Sequence, residues 1–208
     1  TMGTLNAGWG ICGFTSTFYA MYHNNPGARS RLVNATDVYS VLYEITDYLK
    51  ELQAAGSPLL KDITAFTQSF GPPYDKFTIN NYIQTVDLAS EATRQTLDYG
   101  SDKSRRIDQQ MLTRDVLFGI ALPPHAVADY IERIWKWKAT VLETGAPYSD
   151  AIVGVKDITN TDLKMYKGLC HYLYRGGQQY YSWGAKFGSL REASPSYVIA
   201  YSILISKN

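Results

Sequence analysis

Apolar positions in the first two thirds of the chain recur with the period of an α-helix. The apolar run Phe14 to Tyr22 predicts a first helix, and Cys12 lies in its first turn. A second helix is predicted over 37–56, where apolar side chains return every three or four residues. The segment 74–86 fits neither the helical nor the strand period. The other predicted helices, each bounded by glycine or proline, cover 58–70, 87–99, 101–117 and 127–142.

The pattern changes to strand alternation from Asp150 onward. The sequence Gly176-Gly177 predicts a two-residue hairpin turn between two of the strands. Helices followed by an antiparallel sheet predict an α+β fold with one domain, 1–208. Its mainly helical part is expected over 1–148 and its sheet part over 149–208. The predicted strands cover 151–155, 169–174, 179–183 and 197–205.

The hairpin turn sets an expected geometry for His171. With Gly176-Gly177 at the turn, His171 lies opposite Ser182, and cross-strand partners project to the same face of a sheet. Ser182 is therefore the side chain best placed to orient the His171 ring. A slip in the register leaves Gln179 as the alternative.

Cys12 lies at the predicted start of the first helix. Free N–H groups and the helix dipole favour an anion there, so we expect a thiol of lowered pKa. His171, on an alternating apolar strand, is the histidine best placed to serve as its base. The combination indicates a cysteine hydrolase. The alternative is a small buried cysteine that caps a core helix, since free cysteine is among the most buried residue types.

Composition narrows the class of protein. The chain has 208 residues and a net charge of +1, so no basic surface for nucleic acid is predicted. Two cysteines do not make a disulfide framework, and no apolar run is long enough to span a membrane. The histidines and cysteines lack zinc-ligand spacing, and no dinucleotide fingerprint is present, so we expect no metal and no cofactor. The sequence does not determine the oligomeric state.

No basic and apolar leader segment is visible at the start of the chain. We therefore expect a cytoplasmic protein, or one that is secreted or delivered into a target cell without a visible signal peptide.

Three stretches of the sequence resemble the papain-like superfamily of cysteine peptidases and amidases. Cys12 opens an aromatic helix in Gly-Ile-Cys-Gly-Phe-Thr-Ser, as the nucleophile of that superfamily does. Asn6 lies six positions earlier, where papain-like enzymes keep a glutamine. His171 on a late strand is followed by Tyr-Ser-Trp-Gly at 181–184, similar to the superfamily's Asn-Ser-Trp-Gly.

The resemblance implies a papain-like fold and hydrolysis of an amide bond in a protein or peptide substrate. It implies that Cys12 is the nucleophile and His171 the base, with Ser182 as the orienting residue. The oxyanion hole would combine the Cys12 N–H group with the Asn6 side chain, and Trp9 and Trp183 would contact the substrate. Both a peptidase and a deamidase fit, and bacterial effectors and toxins show comparable divergence.

Two departures from the papain-like pattern favour a different class of function. Asn6 is one methylene shorter than glutamine, and Tyr181 stands where the superfamily has asparagine. A catalytically silent module that kept the fold for binding is therefore the alternative hypothesis.

Two further residues bear on the assignment. His125, in Pro-His-Ala-Val, is a second candidate for the base, but its surroundings have helical spacing and favour His171. Cys170 neighbours His171, so strand alternation predicts that it points to the opposite face of the sheet.

Overall fold

The computed structural model describes residues 10–27, 38–96, 118–182 and 184–208. Within these ranges the N-terminal part is helical and the C-terminal part is an antiparallel sheet, which confirms the predicted α+β class. The helices are α1 (Cys12–Asn24), α2 (Val38–Ala54), α3 (Leu59–Gln68), α4 (Ile79–Thr96), α5 (Pro124–Tyr130) and α6 (Leu190–Ala193). The strands are β1 (Lys138–Leu142), β2 (Ala151–Asp157), β3 (Leu169–Gly176), β4 (Gln179–Ser182), β5 (Ala185–Phe187) and β6 (Tyr197–Ser206).

The sheet has six strands in the order β1-β6-β2-β3-β4-β5, and the two sides of the sheet bury different clusters. Alternate side chains such as Ile152 and Tyr172 join the main core with the helices. Their neighbours Val153 and Leu173 join a smaller cluster on the other side, against which α6 packs. The central strand β2 is therefore buried on both faces.

Helix α1 is buried around its circumference. All the residues from Gly13 to Phe18 are buried, which is typical of a helix enclosed by other elements. The Phe14 ring lies 4.9 Å from the ring of Tyr130 on α5. On the opposite side, the Ser16 hydroxyl donates a 2.9 Å hydrogen bond to the Tyr172 carbonyl of β3. These contacts fix the N-terminal end of α1 beside β3.

The helix predicted over 127–142 is present, but it ends earlier than predicted. Helix α5 ends at Tyr130, a π-helical turn follows over Ile131–Trp135, and β1 begins at Lys138. Lys136 has the left-handed backbone conformation that glycine usually adopts at the end of a helix. Because a lysine stands there, the sequence gives no signal that the helix ends. Strand β1 pairs with β6, and this contact across the chain overrides the local helical spacing.

Two other boundaries differ from the prediction. Helix α4 begins at Ile79, eight residues before the predicted start, and a 3₁₀ turn at Tyr74–Lys76 precedes it. The three-residue strand β5 was not predicted, because so short a strand leaves no alternation to recognise. The predicted helix over 101–117 lies outside the described residues.

The hairpin register differs from the prediction by two residues. Gly176 stays in β3 opposite Gln179, so the turn residues are Gly177 and Gln178. Only Gly177 has the positive φ (63°) that favours glycine, and one such position is enough for the turn. Because side chains alternate every two residues, this shift leaves every residue on its predicted face.

None of the helices that the structure describes is long and apolar enough to cross a membrane.

We expect Ser16→Ala to destabilise the protein by about 1–3 kcal/mol, because it leaves the buried Tyr172 carbonyl without its donor from α1. Urea unfolding measures the change. Ser69→Ala is the matched control, since the exposed Ser69 hydroxyl bonds only the nearby Phe66 carbonyl and its loss should cost less than about 0.5 kcal/mol. Equal effects of the two substitutions would contradict the assigned role of Ser16.

Candidate active site

A cavity of about 200 Å³ lies between the start of α1, the end of α3 and strand β3. Apolar and aromatic side chains form most of its wall, and two thiols and an imidazole belong to the residues that line it. The lining residues are Gly10, Cys12, Phe66, Thr67, Phe70, Tyr74, 119–122 and 169–172.

The segment 119–122 is held in the cavity wall by hydrogen bonds to its neighbours. The Ala121 N–H group donates to Thr67 Oγ1 at 2.9 Å, and the Tyr172 hydroxyl donates to the Leu122 carbonyl at 2.7 Å. Leu122 also packs on Gly13, where an added Cβ would lie only 3.2 Å from the leucine side chain. This segment therefore ties the start of α1 to α3 and β3.

Cys12 is the first residue of α1, and no side chain caps this helix end. Burial raises the pKa of the Cys12 thiol to about 11, and the nearby Cys170 adds to the increase. The N–H groups of Tyr172, Cys12 and Gly13 act in the opposite direction and do not offset the burial. The predicted lowering of the thiol pKa is therefore wrong, and the thiol is protonated at neutral pH.

His171 is buried, with 7% of its surface exposed, and it contacts Ser182. Its Nε2 atom and Ser182 Oγ share a hydrogen bond of 2.7 Å, so the predicted contact is confirmed. The observed register places Ser182 level with Leu173, diagonal to His171 and on the same face. Burial lowers the pKa of the ring to about 3, so the imidazole is neutral at pH 7.

Cys12 and His171 both belong to the lining of the cavity. Burial raises the thiol pKa to about 11 and lowers the ring pKa to about 3, and both changes disfavour the charged forms. A thiolate–imidazolium pair is therefore not the resting form. The resting site holds a neutral thiol and a neutral imidazole.

Strand alternation predicted that Cys170 points away from the site, and the structure differs from this prediction. Cys170 lines the same cavity as Cys12 and His171, and its thiol donates to the Val155 carbonyl at 3.5 Å. The pairing of β2 with β3 shifts between Val155 and Lys156, which leaves Cys170 as an extra residue in a bulge. A bulge breaks the alternation of side chains, and nothing in the local sequence announces it.

The remaining candidate residues are distributed as follows. Asn6, Trp9 and Trp183 lie outside the described residues. His125 is exposed on α5 and does not line the cavity. Gln179, the alternative orienting residue, pairs with the end of β3 and accepts a 3.4 Å hydrogen bond from a neighbouring tyrosine hydroxyl. Ser182 is therefore the orienting residue that the geometry supports.

One aromatic neighbour of the site was missed at the level of sequence. Tyr197, the first residue of β6, stacks on the His171 ring with the two centroids 6.2 Å apart. The sequence predicted a strand there but gave no sign of which strands would flank it. Within the described ranges, no group of three or more histidine, cysteine or acidic side chains is arranged to hold a metal ion.

Comparisons with models of protein families, with curated proteins and with solved structures gave no match. The resemblance to the papain-like superfamily stays a prediction from the residues that carry it.

The buried His171 ring should make the stability of the protein depend on pH. The folded protein keeps the ring neutral down to about pH 3, whereas the unfolded chain protonates it below about pH 6.5. The unfolded state then binds the extra proton, so this contribution is complete above pH 6.5 and falls by up to about 1.4 kcal/mol per pH unit toward pH 3.

Urea unfolding between pH 7 and pH 4 measures this loss, and His171→Gln should flatten the profile. His125→Gln is the control, because His125 is exposed and its substitution should leave the profile unchanged. Identical profiles for the wild type and His171→Gln would refute the assignment.

The high pKa of the Cys12 thiol predicts slow alkylation at neutral pH. In a Cys170→Ser variant, where Cys12 is the one remaining thiol, the rate with iodoacetamide should rise about tenfold per pH unit between pH 7 and pH 10. The urea-unfolded chain supplies the reference for an ordinary cysteine. A rate that stays level down to pH 6 would instead show a thiolate paired with imidazolium.

Proposed function

We propose that the protein is a papain-like thiol hydrolase that cleaves an amide bond in a protein or peptide, as a peptidase or as a deamidase of side chains. One observation carries the proposal: Cys12, at the start of a helix, and His171, whose ring shares a hydrogen bond with Ser182, both belong to the lining of a single cavity. A nucleophile, a base and a group that orients the base are the minimum set for such chemistry.

The proposed mechanism uses the ring tautomer in which Nε2 carries the hydrogen. When Nε2–H donates to the Ser182 hydroxyl, the neutral imidazole keeps a lone pair on Nδ1, which is then the basic nitrogen. Cys12 Sγ attacks the carbonyl carbon while its proton moves to Nδ1, because the pKa values oppose transfer before the attack. The imidazolium then protonates the departing nitrogen, and water hydrolyses the thioester that remains.

The start of α1 supports a site for the negative charge that develops on the carbonyl oxygen. No side chain caps this helix end, so the Cys12 N–H group would donate to the oxyanion, together with the Asn6 side chain. Each such donor is worth on the order of 10²–10³ in rate. Trp9 and Trp183 would contact the substrate.

The leaving group decides between the two activities. A peptidase releases the amine of a peptide, whereas a deamidase releases ammonia from a glutamine or asparagine side chain, and the same residues serve both reactions. The apolar wall contributed by Phe66 and Phe70 suits a side chain or a segment of polypeptide. We propose that the protein acts in the cytoplasm or, after secretion or delivery, in a target cell.

A catalytically silent binding module is the second candidate function. It is favoured by the neutral state of both Cys12 and His171. Tyr181 adds to this, because its hydroxyl bonds Gln179 and does not replace the amide that papain-like enzymes place near the histidine. The same cavity would then bind a polypeptide without cleaving it.

We expect Cys12→Ala and His171→Ala each to abolish hydrolysis without unfolding the chain, because both truncations remove reacting groups. The assay incubates the protein with a peptide library and detects new termini, or mass increases of about 1 Da at glutamine and asparagine, by mass spectrometry. New termini indicate a peptidase, and the mass increase indicates a deamidase.

Cys170→Ala and His125→Ala are the matched controls, since one removes a second thiol of the cavity and the other an exposed imidazole. Both should keep at least about half of the activity. Loss of activity in His125→Ala together with retention in His171→Ala would overturn the choice of base. Binding without any turnover would select the silent module.

A further inference from the structure

Tyr197 contacts the candidate base from outside the cavity. Its ring and the His171 ring are stacked, with centroids 6.2 Å apart and planes inclined by 29°. Tyr197 is half-buried and is not one of the residues that line the cavity. Of the two stacked residues, His171 belongs to the cavity lining and Tyr197 does not.

The two rings meet across the central strand of the sheet. Strands β3 and β6 flank β2 on its two sides, with His171 paired to Val155 and Tyr197 paired to Asp157. Both pairings are irregular at this point: the register with β6 shifts between Gly154 and Val155, and the register with β3 shifts at the following residue. Bulges redirect side chains, and here two of them adjoin the one place where these rings stack.

We propose that Tyr197 is a positioning residue that holds the His171 ring against Ser182 and shields it from water. Its relevance to catalysis rests on the proposed function, whereas its effect on the ring does not. Ser182 holds one edge of the imidazole through Nε2, and the tyrosine ring covers one of its faces. Together they leave the ring little freedom to rotate.

The charged groups near the His171 ring support the proposal that Tyr197 shields this ring from water. The titratable groups on the elements packed around this position include Cys12, Cys170, Tyr74, Lys156, Asp157 and Tyr197 itself, contributed by α1, β3, the 3₁₀ turn, β2 and β6. Burial raises the pKa of Tyr197 to about 12 and that of each thiol to about 11, so these groups are neutral at pH 7.

Asp157 is a negatively charged group in this region, and a carboxylate near an imidazole favours its protonated form. It therefore cannot account for a ring pKa lowered to about 3, whereas burial can. A side chain that covers the ring is thus the group whose removal should restore water and raise the pKa.

The test measures the pKa of His171 by NMR titration of its ring protons in the full chain. Tyr197→Met removes the ring but keeps an adaptable apolar side chain, and the His171 pKa should rise by one unit or more toward 6.5. Tyr197→Phe keeps the ring and should leave the pKa within about 0.3 units of the wild type, since the shielding needs no hydroxyl.

Tyr180→Met is the matched control, because Tyr180 is buried on the same side of the sheet as Val155. It should lower stability and leave the His171 pKa unchanged. The inference is overturned if Tyr197→Met leaves the pKa in place, or if Tyr180→Met raises it equally. Should Tyr197→Met fail to fold, a cross-relaxation signal between the rings of Tyr197 and His171 in the wild type decides, and its absence overturns the contact.

Activity separates this inference from the proposed function. If amide hydrolysis is found, Tyr197→Met should lower kcat at least fivefold and shift the acid limb of the pH profile upward, with KM changed less than twofold. A larger change in KM than in kcat would show that Tyr197 binds substrate and would contradict positioning. If the His171 pKa moves as expected and no amide hydrolysis exists, the proposed function fails while the role of Tyr197 stands.

Discussion

The arrangement of the site depends on how α1 satisfies the backbone of one residue in β3. Strand β4 pairs with β3 from Tyr174 to Gly176. Just before that stretch, α1 forms a hydrogen bond with the backbone of Tyr172. The Ser16 hydroxyl donates to the Tyr172 carbonyl, and the Tyr172 N–H group approaches the Cys12 thiol. Buried backbone groups require partners, so this demand locks the helix to the strand. Because Tyr172 is next to His171, the residues Cys12 and His171 both belong to the lining of one cavity.

The burial that places these groups also opposes their ionisation. A thiolate and an imidazolium lose hydration when protein surrounds them, and three N–H groups near Cys12 recover only part of that loss. In its resting form the structure therefore brings these residues together but keeps both side chains neutral. For a hydrolase of this kind, a polar substrate would change the balance between the neutral and charged forms when its carbonyl dipole enters the cavity. For a binding module, no such change is needed.

Local patterns were sufficient to predict the parts of the site that depend on one element. Helix α1 begins at Cys12 as the spacing indicated, and the contact between His171 and Ser182 survives a register that differs by two residues. The contact survives because strand side chains repeat every two residues, so an even slip preserves the face. An odd slip would have separated the pair.

The features that the sequence did not predict depend on contacts between distant segments of the chain. The end of the predicted helix at Lys136 uses a left-handed residue other than glycine, and the bulge at Cys170 has no marker in its neighbours. The state of the Cys12 thiol was also misjudged, because position at a helix start was known while the depth of burial was not. Both effects on the pKa are real, and only the three-dimensional structure shows that burial is the larger.

The chemistry of Ser182 explains why a histidine here would need packing as well as a hydrogen bond. A side-chain amide oxygen or a carboxylate only accepts, so it selects the ring tautomer that donates. A serine hydroxyl both donates and accepts, and its hydrogen rotates, so it holds the Nε2 atom without fixing the tautomer or the tilt of the ring. Tyr181, in the place where the papain-like pattern has an amide, bonds Gln179 and does not make up the difference. A stacked ring restricts tilt by shape alone, and Tyr197 provides one on the face of His171.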